Sequence, residues 1–237
     1  MFIKLAPSAA HAAQPELAGT TAVVFDVLRA TSTIVTALAR GYSKVYPAVD
    51  VDEALHIAGS RSHVLAGERG GLKITGFPRG NSPLEFVAGP EKDGAELVLT
   101  TSNGTGAVRA SSTADRVLLG SVLNARAAAR AAVAHGQDIY LVCAGSGGGY
   151  SLEDALGAGF VLAEMLKSAN LAVEMDDRAA AALCLARCYS HDPLAGLMNS
   201  AHGKALVRLG REEDLRWCSQ LNMFEIAPVY NGEYITA

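Results

Sequence analysis

Residues 23–33 read VVFDVLRATST. An apolar run ends on Asp26, and Arg29, Thr31, Ser32 and Thr33 follow within seven positions. A continuous apolar run has no polar face to turn to water, so it reads as a strand covered on both sides. The polar cluster behind it reads as the first turn of a helix. That strand–turn–helix step sets the architecture, because the chain repeats it.

Strands are expected at 2–5, 21–28, 44–49, 63–66, 96–100, 116–120 and 139–143, and helices at 31–39, 51–59, 104–111, 124–135 and 151–167. Their alternation predicts a three-layer α/β/α fold, with a largely parallel or mixed sheet and right-handed crossovers. The C-terminal third adds helices at 174–189, 193–209 and 212–221. A final strand at 226–235 is broken by Pro228 and Asn231-Gly232, and the proline predicts an edge position. No low-complexity linker appears, so residues 1–237 read as one α/β unit. If there are two lobes, they divide near 140–150.

The chain has 237 residues, half of them hydrophobic, and a formal net charge of −4. It has no basic surplus to neutralise a phosphate backbone, which argues against a nucleic-acid partner. No apolar stretch reaches the roughly 18–20 residues of a membrane span, and the first residues lack the apolar core of a signal peptide. Cys143, Cys184, Cys188 and Cys218 form no CxxC pair. They read as reduced thiols of a cytoplasmic protein, packed into the interior, with Cys184 and Cys188 spaced to share a helix face. A homodimer is left open. The six histidines show no zinc-ligand spacing.

Three segments share the plan of strand, small polar cluster and helix: 23–33, 97–108 and 139–154. In open α/β sheets, ligands gather beyond the carboxyl ends of the strands. If these three strands are neighbours, their clusters meet in one crevice. In the first cluster, Thr31, Ser32 and main-chain N–H groups can receive an anion at a helix N-terminus, and Arg29 offers a fork of donors. Asp26 would repel that anion, so a carboxylate there points to a bridging Mg²⁺. A helix cap with an Asp26–Arg29 ion pair explains the same residues.

The segment 65–83 places Glu68 and Arg69 directly after a strand, followed by the turn Gly80-Asn81-Ser82-Pro83. Ser82 reads as a cap, with Pro83 at the first helical position. In the third cluster Asn103 and Thr105 are small donors on an open, glycine-containing loop, able to ring an oxyanion. In the fourth, Asp154 faces the crevice as a metal ligand, or else serves with Glu153 as an acid of the first helical turn. The run GSGGG at 145–149 lacks the downstream acidic residue of a dinucleotide site. Asp176-Asp177-Arg178 reads as a surface ion cluster.

FDVLRATST (25–33), AGERGG (66–71), GNSP (80–83), TTSNGT (100–105) and CAGSGGGYSLEDALGAG (143–159), in this order, resemble the 2-phosphosulfolactate phosphatase family. The match runs from about residue 20 to about 165, and the stretch 200–222 resembles the family's less constant tail. The chain departs from the family pattern at 147–149, which are all glycine here. The resemblance implies an α/β, Mg²⁺-dependent phosphatase acting on phosphate esters of 2-hydroxy acids. In methane-producing organisms its product feeds coenzyme M synthesis.

Combined with that resemblance, the residues define expected roles. Asp26, Glu68 and Asp154 hold Mg²⁺, and Arg29 polarises the phosphoryl group. Thr31, Ser32, Asn103 and Thr105 donate to phosphoryl oxygens, with Asn81, Ser82 and Cys143 completing the substrate contacts. Arg69 takes the carboxylate or sulfonate. Water is the expected nucleophile, and a phospho-enzyme on Asp26 or Cys143 stays open. Two other readings remain: a non-catalytic binder of an anionic metabolite, and a nucleotide-dependent transferase using the 145–149 loop.

Overall fold

The computed structural model describes residues 1–12, 14–59, 63–168 and 173–237. The strands are β1 (Phe2–Ala6), β2 (Thr21–Phe25), β3 (Lys44–Ala48), β4 (Val64–Arg69), β5 (Leu72–Lys73), β6 (Glu96–Thr100), β7 (Arg116–Gly120), β8 (Ile139–Cys143), β9 (Glu174–Met175), β10 (Val229–Tyr230) and β11 (Ile235–Thr236). They order as β5-β4-β6-β3-β11-β10-β7-β2-β8-β1-β9. The helices are α1 (Gln14–Leu17), α2 (Ala30–Ala39), α3 (Val51–Ala58), α4 (Gly104–Ala110), α5 (Ala125–Val133), α6 (Leu152–Ser168), α7 (Asp177–Cys188), α8 (Pro193–Asn199), α9 (Ala201–Arg208) and α10 (Glu212–Cys218). This is the expected three-layer α/β/α arrangement.

The sheet is mixed in a particular way. β4-β6-β3 form one parallel block and β7-β2-β8-β1-β9 another. Between them sits the antiparallel hairpin β10–β11. The edge position expected from Pro228 is therefore overturned. Pro228 precedes the hairpin, and its carbonyl accepts from Leu119 N at 2.9 Å in the middle of the sheet. A proline lacks only the donor, so its acceptor can still join a ladder.

β2 shows why the apolar runs form central strands. Val23 and Phe25 point into one core with α5, α6 and α7, and Ala22 and Val24 into the other with α2 and α4. Every residue of α2 from Ala30 to Leu38 is buried. A helix with four hydroxyl residues can be buried only if they find partners. Ser32 Oγ donates to the Val27 carbonyl (2.8 Å), Thr33 Oγ1 to that of Asn81 (3.0 Å), and Thr36 Oγ1 to that of Ser32 (2.8 Å).

The C-terminal third differs from expectation in its breaks. The helix expected over 174–189 begins as strand β9, and α7 starts after one intervening residue, Asp176, which caps it: its carboxylate accepts from Ala179 N at 2.8 Å. Asp176 also accepts from Leu5 N at 3.3 Å, so it ties a helix to the sheet and is not part of a surface ion cluster. The helix expected over 193–209 splits at Ser200, whose hydroxyl caps α9 through Gly203 N at 2.9 Å. Cys184 and Cys188 are exposed, whereas Cys143 and Cys218 are buried as expected. The buried face of α7 is carried by Ala179, Ala182, Leu183 and Ala186, and the two cysteines fall on the other side.

α6 and α7 approach closely at Gly159. A Cβ there would stand 2.0 Å from the Ala182 carbonyl oxygen. The Gly159→Ala variant is expected to lose about 1–3 kcal/mol, because the helices must separate or distort. Urea unfolding measures it, and an unchanged midpoint would contradict this packing. Among the described residues no helix is long and apolar enough to cross a membrane.

Candidate active site

Beyond β2 and β6, and beside the end of β4, lies a cavity of about 240 Å³. Asp26, Arg29, Glu68, Asn81, Asn103 and Ser146 border it, and α9 closes it with His202 and Ala205. The polar clusters behind β2, β6 and β8 thus converge, although β6 belongs to the other block. β2 and β8 are neighbours in the sheet, whereas the β6 cluster joins them through the way the two blocks meet.

Asp26 is the first residue past β2. Its Oδ1 accepts from Ala30 N at 3.1 Å, so the carboxylate caps α2. Burial pushes its pKa up to about 6. The Ala30 N–H and His202 oppose that shift, while the charges of Glu68 and Glu153 add to it. Gly104 lets the third cluster come close, since a Cβ there would lie 2.5 Å from Asp26 Oδ2.

Arg29 does not pair with Asp26. Its Nη1 donates to Asp214 Oδ2 at 2.5 Å and its Nη2 to the Gly71 carbonyl at 2.9 Å. Both members of the ion pair are 3 % exposed. Asp214 lies in α10 and also accepts from Ser82 Oγ at 2.5 Å. Ser82 therefore spends its hydroxyl on this anchor and makes no cap bond to the short 3-10 turn Pro83–Phe86.

Glu68 is held by two main-chain donors, Ser102 N to Oε1 and Gly71 N to Oε2, both at 2.7 Å. Gly71 has φ +82°, a conformation that a side chain would strain. That turn aims the Gly71 N–H at Glu68 and the Gly71 carbonyl at Arg29. Asn81 Oδ1 is buried without a hydrogen-bond partner, and its residue faces the cavity.

Several expected contacts lie outside the cavity wall. The Thr31 hydroxyl closes a turn with Asp26, donating to its carbonyl at 3.0 Å. Ser32 is spent on Val27 O. Thr105 Oγ1 accepts from Thr101 N at 3.2 Å. Arg69 lies against its own strand and β6, donating to Glu68 O (2.7 Å) and Thr100 Oγ1 (2.9 Å). Asp154 does act as a first-turn acid, and both its oxygens are occupied, by Val27 N (2.8 Å) and Gly145 N (3.1 Å). Burial, with the charges of Asp26 and Glu153, holds its pKa well above the usual carboxylate range.

Cys143 is fully buried, and burial pushes its thiol well above the ordinary value. The nucleophilic form is the thiolate, so a phospho-enzyme on Cys143 is disfavoured. Cys143→Ala is expected to keep wild-type turnover at a stability cost of about 1 kcal/mol. Loss of turnover with intact folding would restore Cys143 to the chemistry. Sequence reasoning missed His202 and Asp214. The histidines carry no ligand spacing, and nothing local marks Asp214.

Whether the cavity suits Mg²⁺ can be judged from its donors. Among the described residues no three His, Cys, Asp or Glu side chains are grouped to hold a metal. Mg²⁺ keeps several waters and commonly takes one or two carboxylates with substrate phosphate oxygens. Asp26 and Glu68, both bordering the cavity, fit that demand. Asp154 is not among the residues lining the cavity and does not join them.

A small cavity at the carboxyl ends of parallel strands, carrying buried acids and an anchored guanidinium, defines an α/β enzyme for small anionic substrates. The family described as 2-phosphosulpholactate phosphatase matches residues 7–233. Three similar proteins are each named probable 2-phosphosulfolactate phosphatase. That of Symbiobacterium thermophilum is 43% identical over 219 residues (91% of this chain, 93% of the relative). That of Deinococcus radiodurans is 41% identical over 210 residues (87% and 86%), and that of Clostridium acetobutylicum 36% over 239 (99% and 100%). The chain belongs to the 2-phosphosulfolactate phosphatase family, and so to the phosphoric monoester hydrolases.

Proposed function

We propose that the chain is a Mg²⁺-dependent phosphatase for the phosphate ester of a 2-hydroxy acid, with 2-phosphosulfolactate, named for its relatives, as the leading substrate. One observation carries this reading: Asp26, Glu68 and Arg29, from two separate strand ends, border a single cavity of about 240 Å³. That volume falls below the roughly 300–1,000 Å³ of sites for drug-sized ligands. It suits a three-carbon phospho acid better than a nucleotide. The 145–149 loop also gives the transferase reading little support. Ser146 and Gly149 bond each other's main chains at 3.2 and 3.0 Å, and Gly148 O accepts from Ser8 Oγ at 2.9 Å.

In this reading Asp26 and Glu68 hold the ion. When bound, it supplies positive charge against the phosphoryl oxygens. Arg29, kept rigid by Asp214 and Gly71, stabilises charge on the phosphoryl group in the transition state. Asn103, at the start of α4, contacts a phosphoryl oxygen, and Asn81 offers a carbonyl to a substrate proton. Water attacks phosphorus in line and the P–O bond to carbon 2 breaks, giving 3-sulfolactate and phosphate from 2-phosphosulfolactate. We assign to His202, which borders the cavity, delivery of the proton that the departing alkoxide takes up, while the attacking water gives up its proton to solvent.

Phosphate release from 2-phosphosulfolactate and 2-phospholactate, with Mg²⁺ and with a chelator, tests the proposal. Release that depends on Mg²⁺ is expected. Undiminished release in chelator would remove the metal. Binding without release from either ester would favour a non-catalytic metabolite binder.

A further inference from the structure

Away from the cavity, α7 carries an arrangement that the phosphatase reaction does not use. Cys184 and Cys188 are four residues apart, both inside the helix and both exposed. Ala179, Ala182 and Ala186 face the interior, so the two thiols share the solvent side.

We propose that Cys184 and Cys188 form a surface dithiolate site for a soft, two-coordinate metal ion of the Cu(I) class. Residues four apart on a helix have Cβ atoms roughly 5–6 Å apart. A disulfide needs Cβ atoms about 3.5–4.5 Å apart, so this pair cannot close on itself without unwinding the end of α7. An ion held by two metal–sulfur bonds, each about 2.3 Å long as for zinc thiolates, bridges the wider gap.

Ligand number then selects the ion. Structural zinc takes four ligands, and among the described residues no third His, Cys, Asp or Glu completes a metal group. Cys143 and Cys218 are buried and cannot contribute. Two thiolates alone suit a soft ion content with two ligands. On binding, two S–H bonds break, their protons pass to solvent, and two S–Cu bonds form; the metal keeps its +1 state and no electrons are exchanged.

Anaerobic titration of the intact chain with Cu(I), against a competing chromogenic chelator, tests the site, with native mass spectrometry giving the stoichiometry. One ion per chain is expected. Cys184→Ser and Cys188→Ser should each weaken binding by about 100-fold, because each removes the chelate. Neither should alter phosphatase turnover measured without copper. Wild-type affinity in either single variant, or binding by the double variant, would overturn the proposal. So would a complex of two chains on one ion, which would make the thiols a bridge between copies.

Discussion

Replacing Asp26 by Asn is expected to lower kcat/KM by about three orders of magnitude or more, as for loss of a group acting on transition-state charge. Asn keeps the size of the side chain, and its Oδ1 can still accept from Ala30 N, so the cap on α2 survives. What disappears is the negative charge beside Glu68. The same change should stabilise the fold in the absence of Mg²⁺. The native state raises the pKa of Asp26 to about 6, above its ordinary value near 3.9. The native state therefore holds the proton more tightly, and stability from this group is lost as pH rises from about 4 through about 6. At pH 7.5 the buried charge costs about 1–3 kcal/mol, and Asn removes that cost. Kinetics with a Mg²⁺ series, paired with urea unfolding in chelator, reads both effects. Retained turnover with unaltered Mg²⁺ dependence would take Asp26 out of the chemistry.

Asp214→Ala is expected to destabilise the chain by about 3–5 kcal/mol, the cost of leaving one member of a buried ion pair uncompensated. The pair is almost wholly enclosed, and Ser82 Oγ loses its acceptor in the same step. Turnover should fall as well, because the Arg29 guanidinium keeps only its bond to Gly71 O. Replacing both partners with apolar residues, Arg29→Met with Asp214→Leu, should recover much of the stability, since the unpaired charge is gone. It should not recover activity. Chemical denaturation of the two variants separates the effects, and a loss below about 1 kcal/mol for Asp214→Ala would show that Arg29 is solvated or paired by other means.

Much of the sheet was legible because its central strands carry a strong signal. The runs at 44–48, 96–100, 116–120 and 139–143 are apolar and closed by polar or glycine-bearing turns, and each forms a strand. The C-terminal third was read less well because its breaks depend on single contacts. Ser200 splits one periodic stretch into two helices through a bond to Gly203 N. Pro228 sits centrally because Leu119 needs an acceptor there.

The candidate site was legible in part for the same physical reason. Asp26 and Asn103 follow strands and Glu68 lies at the end of one, and strand ends border the cavity. The hydroxyls of Thr31 and Ser32 looked like ligand donors, but burial of α2 had already claimed them for carbonyls. The partner of Arg29 lies 185 residues away. No local pattern announces such a pairing, since only the closed fold brings α10 against α2.

The hairpin of β10 and β11 has a consequence for biosynthesis. These two strands are translated after every other strand of the sheet, yet they fill its middle. Until residues 229–236 leave the ribosome, β3 and β7 each present an open edge, and the two blocks have no main-chain seam between them. Ribosome-bound chains arrested before residue 229 should therefore be more prone to self-association than the released protein, and closure of the sheet is a late event in its maturation.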